Sequence, residues 1–280
     1  MKNKRNELMR TGGKMNINSA KLIYFSPTQT TRKVVEGISQ GLQVVDVEAL
    51  DLTTHDAEIE KPQRGYEDLA IIGSPVYSGR LPAVAVSRLR KLKGNGAPAV
   101  IVVVYGNRAY EDALLELRDV AQEAGFNPIA AGAFIGEHSF STNCTPIAVG
   151  RPDVEDLGKA KTFGKMIREK IINIRALEEL IPLQVPGNFP FKELRMLSDI
   201  SSVTQEMLCT RCKKCTSVCP TAAIHADAPT LTDKSSCIRC CACVKCCPAG
   251  AKSMDDPRIK QAAEQLTVNC SHRKEPETYL

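Results

Sequence analysis

The sequence predicts an α/β domain with a doubly wound parallel sheet, followed by a small, cysteine-rich α+β domain. Continuous apolar runs alternate with amphipathic stretches between residues 18 and 175, as in a parallel sheet covered by helices on both faces. Ten of the twelve cysteines then lie between Cys209 and Cys247. Between these regions, the stretch 181–190 holds three prolines and a glycine, which predicts an extended linker.

The α/β region contains five predicted strands and four predicted helices. The strands cover residues 21–25, 44–50, 68–72, 98–105 and 128–134, and the helices cover 31–42, 82–92, 110–124 and 152–172. In the last helix, one face is predicted to carry Val154, Leu157, Phe163, Ile167 and Ile171. Such a sheet binds ligands beyond the carboxyl ends of its strands.

These patterns divide the chain into five segments. They are an N-terminal extension (1–17), the α/β domain (18–175), a linker (176–200), the cysteine-rich domain (201–256) and a C-terminal tail (257–280).

Composition and charge narrow the class of protein. The 280 residues are 43% hydrophobic and 25% charged, as in a soluble globular protein. The longest strongly apolar run, Ala99 to Val104, is too short to span a membrane, and the polar first sixteen residues do not resemble a secretory signal. We therefore expect a cytoplasmic protein. The net charge of +5 is spread along the chain without the interleaved aromatic residues that favour nucleic-acid binding.

The cysteine-rich region is an internal repeat. The first repeat, Cys209 to Pro220, and the second repeat, Cys237 to Pro248, both have the pattern C-x2-C-x2-C-x3-C-P, offset by 28 residues. Three cysteines at this spacing form a tight loop that can hold three corners of an iron–sulfur cube, while the fourth cysteine ligates the other cluster. The predicted ligands of one 4Fe-4S cluster are Cys209, Cys212, Cys215 and Cys247, and those of the other are Cys219, Cys237, Cys240 and Cys243.

Other interpretations of the cysteines are weaker. A disulfide framework is not expected in the reducing cytosol. Structural zinc uses two well-separated pairs of ligands rather than three cysteines in seven residues followed by Cys-Pro. Cys241 and Cys246 do not fit the repeat and are either spare buried thiols or alternative ligands during cluster assembly, whereas Cys144 and Cys270 are expected to be free thiols.

Three loops at the predicted ligand-binding edge of the sheet suggest a cofactor. The first loop opens a helix with hydroxyls and backbone N–H groups that suit an anion, and it contains Ser26, Thr28, Gln29, Thr30 and Thr31. The second loop, 73–82, presents Tyr77. The third loop, 105–112, presents Gly106, Asn107 and Tyr110. Each tyrosine alone is more often a packing residue, and the first loop alone is also compatible with a plain helix cap.

At these loops the chain resembles flavodoxins, and over nearly its whole length it resembles the flavodoxin–ferredoxin fusion family called ferrodoxins. The cysteine-rich part resembles bacterial two-cluster ferredoxins. The resemblance implies a flavodoxin-like sheet and a ferredoxin-like domain with two 4Fe-4S clusters. It also implies FMN, with its phosphate held by Ser26, Thr28, Gln29, Thr30 and Thr31, and with Tyr77, Gly106, Asn107 and Tyr110 beside the ring.

The sequence leaves the function partly open. Gln29 stands where flavodoxins usually have glycine, and there is no tryptophan to stack on a flavin. The favoured function is electron relay between the clusters and FMN.

The alternatives are a flavin-free docking domain that delivers the ferredoxin module, or a reductase of an organic substrate that no residues identify. His138 is either a proton donor to reduced flavin or an ordinary loop residue. Residues 201–256 carry seven basic and five acidic side chains, which suggests an acidic redox partner protein.

Overall fold

The computed structural model describes residues 19–56, 69–173, 181–194 and 199–280. The predicted extension 1–17 lies outside the described residues, as do parts of the predicted linker. Among the described residues, no helix has the length and apolar character needed to cross a membrane.

A six-stranded sheet forms the N-terminal part of the fold. Its strands are β1 (Ser19–Tyr24), β2 (Asp46–Asp51), β3 (Leu69–Pro75), β4 (Pro98–Tyr105), β5 (Asn127–Ile135) and, much later in the chain, β8 (Glu277–Tyr279). The order is β2-β1-β3-β4-β5-β8, with all neighbours parallel except the last pair. The order of the first five strands is that of a flavodoxin-like doubly wound sheet. This confirms the predicted fold class.

Helices cover both faces of the sheet. They are α1 (Thr30–Leu42), α2 (Ala83–Leu89), α3 (Ala113–Glu123) and α4 (Val154–Asn173). Every residue of the central strand β4 is buried, because its alternating side chains enter two separate cores. Val102 belongs to the core shared with α1 and α4, and Val103 to the core shared with α2 and α3. The continuous apolar pattern of this strand follows from that double burial.

Helix α4 departs from the sequence expectation at its first turn. Val154, which was predicted on the buried face, is 89% exposed. The buried residue of this turn is instead Asp156, whose carboxylate pairs with the Arg151 guanidinium, while apolar burial begins at Ala160. An ion pair anchors the start of the helix. The prediction that Val154 lies on its buried apolar face is therefore wrong.

The cysteine-rich part repeats its backbone as well as its sequence. Helix α5 (Lys214–Ser217) and helix α6 (Ala242–Lys245) occupy matched positions 28 residues apart. The short strands β6 (Val203–Thr204) and β7 (Lys252–Ser253) pair antiparallel. Left-handed φ angles recur at matched positions, namely Arg211 and Arg239, Lys213 and Cys241, and Ala222 and Gly250. The internal repeat is therefore a structural one.

The segment after the cysteine-rich part, for which the sequence predicted only a tail, returns to the sheet. Residues Pro257–Asn269 form helix α7, and β8 adds an antiparallel edge to β5 through the pairs Ala131–Tyr279 and Ala133–Glu277. The C-terminal segment thus lies beside the strand ends where a ligand of this fold would bind.

Candidate functional site

Two cavities in the cysteine-rich part bring together the predicted cluster ligands. The first cavity is lined by Cys209, Cys212, Cys215 and Cys247. The second cavity is lined by Cys219, Cys237, Cys240 and Cys243, with Cys241 also on its wall. Each cavity therefore combines three cysteines of one repeat with the Cys-Pro cysteine of the other.

The arrangement of these cysteines around a space fits an iron–sulfur cluster. Within the described ranges, no three His, Cys, Asp or Glu side chains converge as the ligands of one metal ion do. The cysteines surround a space instead, as the corners of an iron–sulfur cube require. Of the cysteines outside the repeat pattern, Cys246 lines neither cavity and lies with its Sγ 3.6 Å from Cys243 O.

The cluster loops are shaped to present backbone N–H groups. Left-handed residues recur at every second position in both loops, at Arg211 and Lys213 and again at Arg239 and Cys241. Left-handed residues in tight turns are typical of nests, in which backbone N–H groups face a negative charge. One N–H contact to a ligand is direct, since Ala251 N donates to Cys247 Sγ at 3.2 Å.

The two cavities differ in their exposure to solvent. Burial, the largest cause, raises the pKa of the Cys240 thiol well above its ordinary value, and Cys240 is only 7% exposed. The matched Cys212 is exposed, and a hydrogen bond from the Lys214 backbone lowers its pKa. The cysteines of the second cavity are therefore more shielded from solvent than those of the first.

A buried lysine lies between the cavities. Lys252 is 4% exposed, lines the first cavity and donates from Nζ to Thr232 Oγ1 at 3.3 Å. Its charge lowers the pKa of both Cys215 and Cys243, against the larger effect of burial. A cation here would stabilise negative charge at either cavity.

The second repeat is docked against the carboxyl edge of the sheet. Lys245 Nζ donates to Glu137 Oε1 at 2.6 Å and to Ser141 O at 2.9 Å, in the loop after β5. From helix α2, Arg88 Nη2 donates to Pro220 O at 2.6 Å. Pro220 lines the second cavity, so that cavity is the one next to the sheet.

Tyr77, predicted to lie beside a flavin, stands at this junction. It is half-buried, and its pKa is raised well above its ordinary value, first by burial and then by the thiols of Cys240 and Cys241. Tyr77 therefore lies near two cysteines on the wall of the second cavity. No sequence pattern indicated that this tyrosine would lie where the sheet meets the cysteine-rich part.

The first loop has the form of an anion cradle. Gln29 adopts a left-handed conformation with φ 64°, so the backbone has the geometry that glycine usually supplies. Ser26 is buried and braces the turn, since its N donates to Thr53 Oγ1 and its Oγ accepts from Arg32 N. Thr31 Oγ1 is buried and has no hydrogen-bond partner among the residues that the structure describes.

The remaining first-loop residues lie on its outer side. Thr28 and Thr30 are half-buried, Gln29 is exposed, and the Gln29 side chain donates from Nε2 to Ser26 O. An orphaned hydroxyl at a helix N-terminus, under a loop of this shape, fits the phosphate of a flavin.

The third loop is covered by other parts of the chain. The His138 ring packs directly over Gly106. Asn107 donates from Nδ2 to Cys270 O and to His272 O, at 2.7 and 2.8 Å. Tyr110 bonds through its hydroxyl to the Glu277 carboxylate and the Tyr279 hydroxyl. A flavin ring at this loop would meet its backbone rather than the side chains of Asn107 and Tyr110.

His138 has a defined protonation state. Burial, followed by the charges of Arg108 and Lys245, lowers its pKa to about 4. Its Nδ1 accepts a hydrogen bond from Phe140 N at 3.0 Å, which places the single ring proton on Nε2 at neutral pH.

Comparison with known proteins identifies the cysteine-rich part. A family model described as a 4Fe-4S binding domain matches residues 203–225. No protein of curated function matches the chain. The whole second repeat, Cys237 to Pro248, lies outside the matched span.

Solved flavodoxins resemble the N-terminal part. An archaeal flavodoxin is 17% identical with a TM-score of 0.37, over 55% of this chain and 98% of that one. A Streptococcus pneumoniae flavodoxin is 18% identical (TM-score 0.37, 55% of this chain, 99% of that one). A Fusobacterium nucleatum flavodoxin bound to flavin mononucleotide is 16% identical (TM-score 0.37, 55% and 98%). Likeness at this level adds nothing to what the strand order itself establishes.

The chain thus joins a flavodoxin-like sheet to a ferredoxin-type 4Fe-4S binding domain, as a flavodoxin–ferredoxin fusion does. An iron–sulfur domain of this kind has an electron-transfer role.

Proposed function

We propose that this protein is an iron–sulfur flavoprotein that relays electrons between two 4Fe-4S clusters and FMN. One observation carries the proposal. Two separate cavities are each lined by four cysteines, in the exchanged arrangement that the repeat predicts. Each set supplies the four thiolates that a cube needs.

The positions of the two cavities suggest the order in which electrons pass between the redox centres. The second cavity adjoins the sheet edge through Arg88 and Tyr77, whereas the first lies on the outer side with Cys212 exposed. Electrons from an external carrier would reach the first cluster, then the second, and then the cofactor of the sheet.

Each part of the chain has a defined task in this relay. When bound, the clusters supply one-electron steps and the flavin supplies one- or two-electron storage. Cys240 and Cys243 exclude water from the second site because they are buried. Lys252 offsets the negative charge of the thiolates on both sides. His138 is neutral at pH 7 and keeps its proton on Nε2, above Gly106.

Two features support FMN at the sheet. The first loop combines a left-handed Gln29 with the orphaned Thr31 hydroxyl, which together suit a phosphate. Tyr77 offers an aromatic side chain near the second cavity. A ring bound there would lie on the side of the sheet edge that the cluster domain covers.

A flavin-free docking domain is the second candidate. It is favoured by the covering of the third loop, where Asn107 and Tyr110 are bonded to the C-terminal segment. In this case the sheet would serve to hold the cluster domain and present it to a partner.

Anaerobic purification separates the two candidates. Iron, acid-labile sulfide and flavin are quantified per chain, before and after reconstitution with FMN. The relay predicts about eight iron atoms, since each of two cubes holds four, together with one FMN and flavin bands above the broad cluster absorbance. Full iron without flavin after reconstitution would leave the docking domain, and iron-free or zinc-bound protein would refute both.

A further inference from the structure

The two cysteine repeats place matched surfaces in different surroundings. The sequences of helices α5 and α6, with the loops before them, align at an offset of 28 residues. Their backbones share left-handed φ angles at matched positions. The face formed by Cys240, Cys241 and Ala242 in the second repeat therefore corresponds to the face formed by Cys212, Lys213 and Lys214 in the first.

In the second repeat, this face is an interface. Cys240, Cys241 and Ala242 are 7%, 2% and 2% exposed. Lys245 of the same helix bonds to Glu137 at the sheet edge, and Tyr77 lies beside the two cysteines. Small apolar side chains at these positions let the domain approach the sheet closely.

In the first repeat, the same face is exposed and basic. Cys212, Lys213 and Lys214 are all exposed, as are Arg211 and the neighbouring Met207, which is 99% exposed. From residue 203 to residue 215 there are three basic side chains, and Glu206 is the one acidic residue. In the first repeat, lysines replace the small buried residues, and the surface is exposed among the residues that the structure describes.

We infer that this basic face, formed by Arg211, Cys212, Lys213 and Lys214, is the docking site for an acidic protein electron carrier. The inference rests on the proposed electron relay. The repeat presents one face to its internal partner and the matched face to an external one, next to the cavity whose cysteines are the more exposed.

Charge explains why the partner is acidic. Four thiolates make a cluster site negative, so an acidic carrier would be repelled from an uncovered cluster edge. Three cations around Cys212 reverse the local field and attract it. Steering of this kind raises association rates by about 10- to 1,000-fold at low ionic strength and fades as salt screens the charges.

A charge-reversal experiment tests the docking site. The variant Lys213→Glu/Lys214→Glu is compared with Lys161→Glu/Lys165→Glu, an equal change of charge on exposed positions of α4. A reduced, acidic two-cluster bacterial ferredoxin is the probe, and stopped-flow absorbance follows electron transfer to the full-length protein at several salt concentrations. Lys214→Glu alone is the second variant, because Lys213 has a left-handed backbone that a substitution could disturb.

The inference predicts that the Lys213/Lys214 variant accepts electrons about tenfold more slowly at low salt, and that the difference disappears at high salt. The α4 variant stays within about twofold of the parent protein, since its charges lie away from the docking face. The inference would be overturned if the Lys213/Lys214 variant and the α4 variant were slowed equally. It would also be overturned if neither the Lys213/Lys214 variant nor Lys214→Glu were slowed.

Photoreduction with deazaflavin distinguishes this result from failure of the relay. Deazaflavin reduces the clusters without a docking surface. Electron paramagnetic resonance then counts the clusters that were reduced. Photoreducible clusters that take no electrons from the ferredoxin would refute the docking site alone. Absence of reducible clusters would refute the proposed function and the docking site with it.

Discussion

Arg88 donates a hydrogen bond from Nη2 to Pro220 O at 2.6 Å and so links helix α2 to the residue that follows Cys219. The same guanidinium donates from Nη1 to Leu52 O and Thr53 O, at 2.7 and 2.8 Å. One side chain of helix α2 therefore ties together the loop after β2 and the wall of the second cavity.

Replacing Arg88 should loosen this junction. Arg88→Ala leaves three carbonyls without their charged donor, and we expect a loss of about 2 kcal/mol in the free energy of unfolding. Urea unfolding of the purified protein measures it. Arg90→Ala is the matched control, because Arg90 pairs with Glu123 on the surface and such pairs contribute about 0.5 kcal/mol. Equal losses in both variants would contradict the role of Arg88.

Removal of Cys219 should affect the second cluster only. Cys219→Ser takes one ligand from the cavity lined by Cys237 and leaves the first cavity complete. We expect iron to fall from about eight to about four atoms per chain, or one cluster to convert to a three-iron form. Iron analysis and electron paramagnetic resonance measure the change. Cys144→Ser, at an exposed cysteine outside both cavities, should keep all its iron.

The sequence predicted the five parallel strands and the grouping of the cysteines around two cavities because both depend on local patterns. Strand β4 was predicted with its observed bounds, since burial on both faces leaves an uninterrupted apolar run. The cysteine spacing likewise fixes which sulfurs share a cavity. Neither prediction needs knowledge of distant contacts.

The C-terminal contacts were beyond the reach of the sequence. Strand β8 has three residues, of which Glu277 and Thr278 are exposed, so no alternation marks it. Its position depends on pairing with β5, far away in the chain. For the same reason the sequence did not predict the hydrogen bonds of the Asn107 side chain to Cys270 O and His272 O.

The buried ion pair at the start of α4 should be sensitive to loss of one partner. Asp156 is fully buried and accepts from Arg151 and from Asp153 N, and Arg151 also donates to Lys274 O. Asp156→Asn leaves the Arg151 charge buried without compensation, and we expect a loss of about 3 kcal/mol in urea unfolding.

Glu155 offers the matched control for Asp156. It is the preceding residue, exposed, and pairs with Lys159 on the surface. Glu155→Gln should change the free energy of unfolding by about 0.5 kcal/mol or less. If Asp156→Asn were equally mild, the buried pair would not anchor this helix.

Acid should destabilise the protein through His138. Its folded-state pKa of about 4 lies below the unfolded value of about 6.5, so the unfolded chain binds the proton more readily. The free energy of unfolding is therefore unaffected by His138 above about pH 6.5 and falls as the pH drops toward 4. At pH 5 the loss is about 2 kcal/mol. Urea unfolding at pH 7.5 and pH 5 should show this loss in the parent protein.

The variant His138→Gln isolates this contribution. Between pH 7.5 and pH 5, this variant should lose about 2 kcal/mol less of its free energy of unfolding than the parent protein does. His272→Gln, at an exposed histidine, should keep the pH dependence of the parent. An unchanged pH profile in His138→Gln would show that another group governs the acid sensitivity.

The Thr31 hydroxyl gives two opposite expectations that together test the flavin site. Thr31→Val removes a buried oxygen that has no partner among the described residues, so the flavin-free protein should become more stable, by up to about 1 kcal/mol. If that oxygen binds the phosphate, the same change should raise the Kd for FMN about tenfold. Urea unfolding of the flavin-free protein and quenching of FMN fluorescence measure the two effects. Thr31→Ser retains the hydroxyl and should restore most of the affinity. If Thr31→Val were more stable but bound FMN as tightly as the parent protein, the phosphate would not lie in this loop.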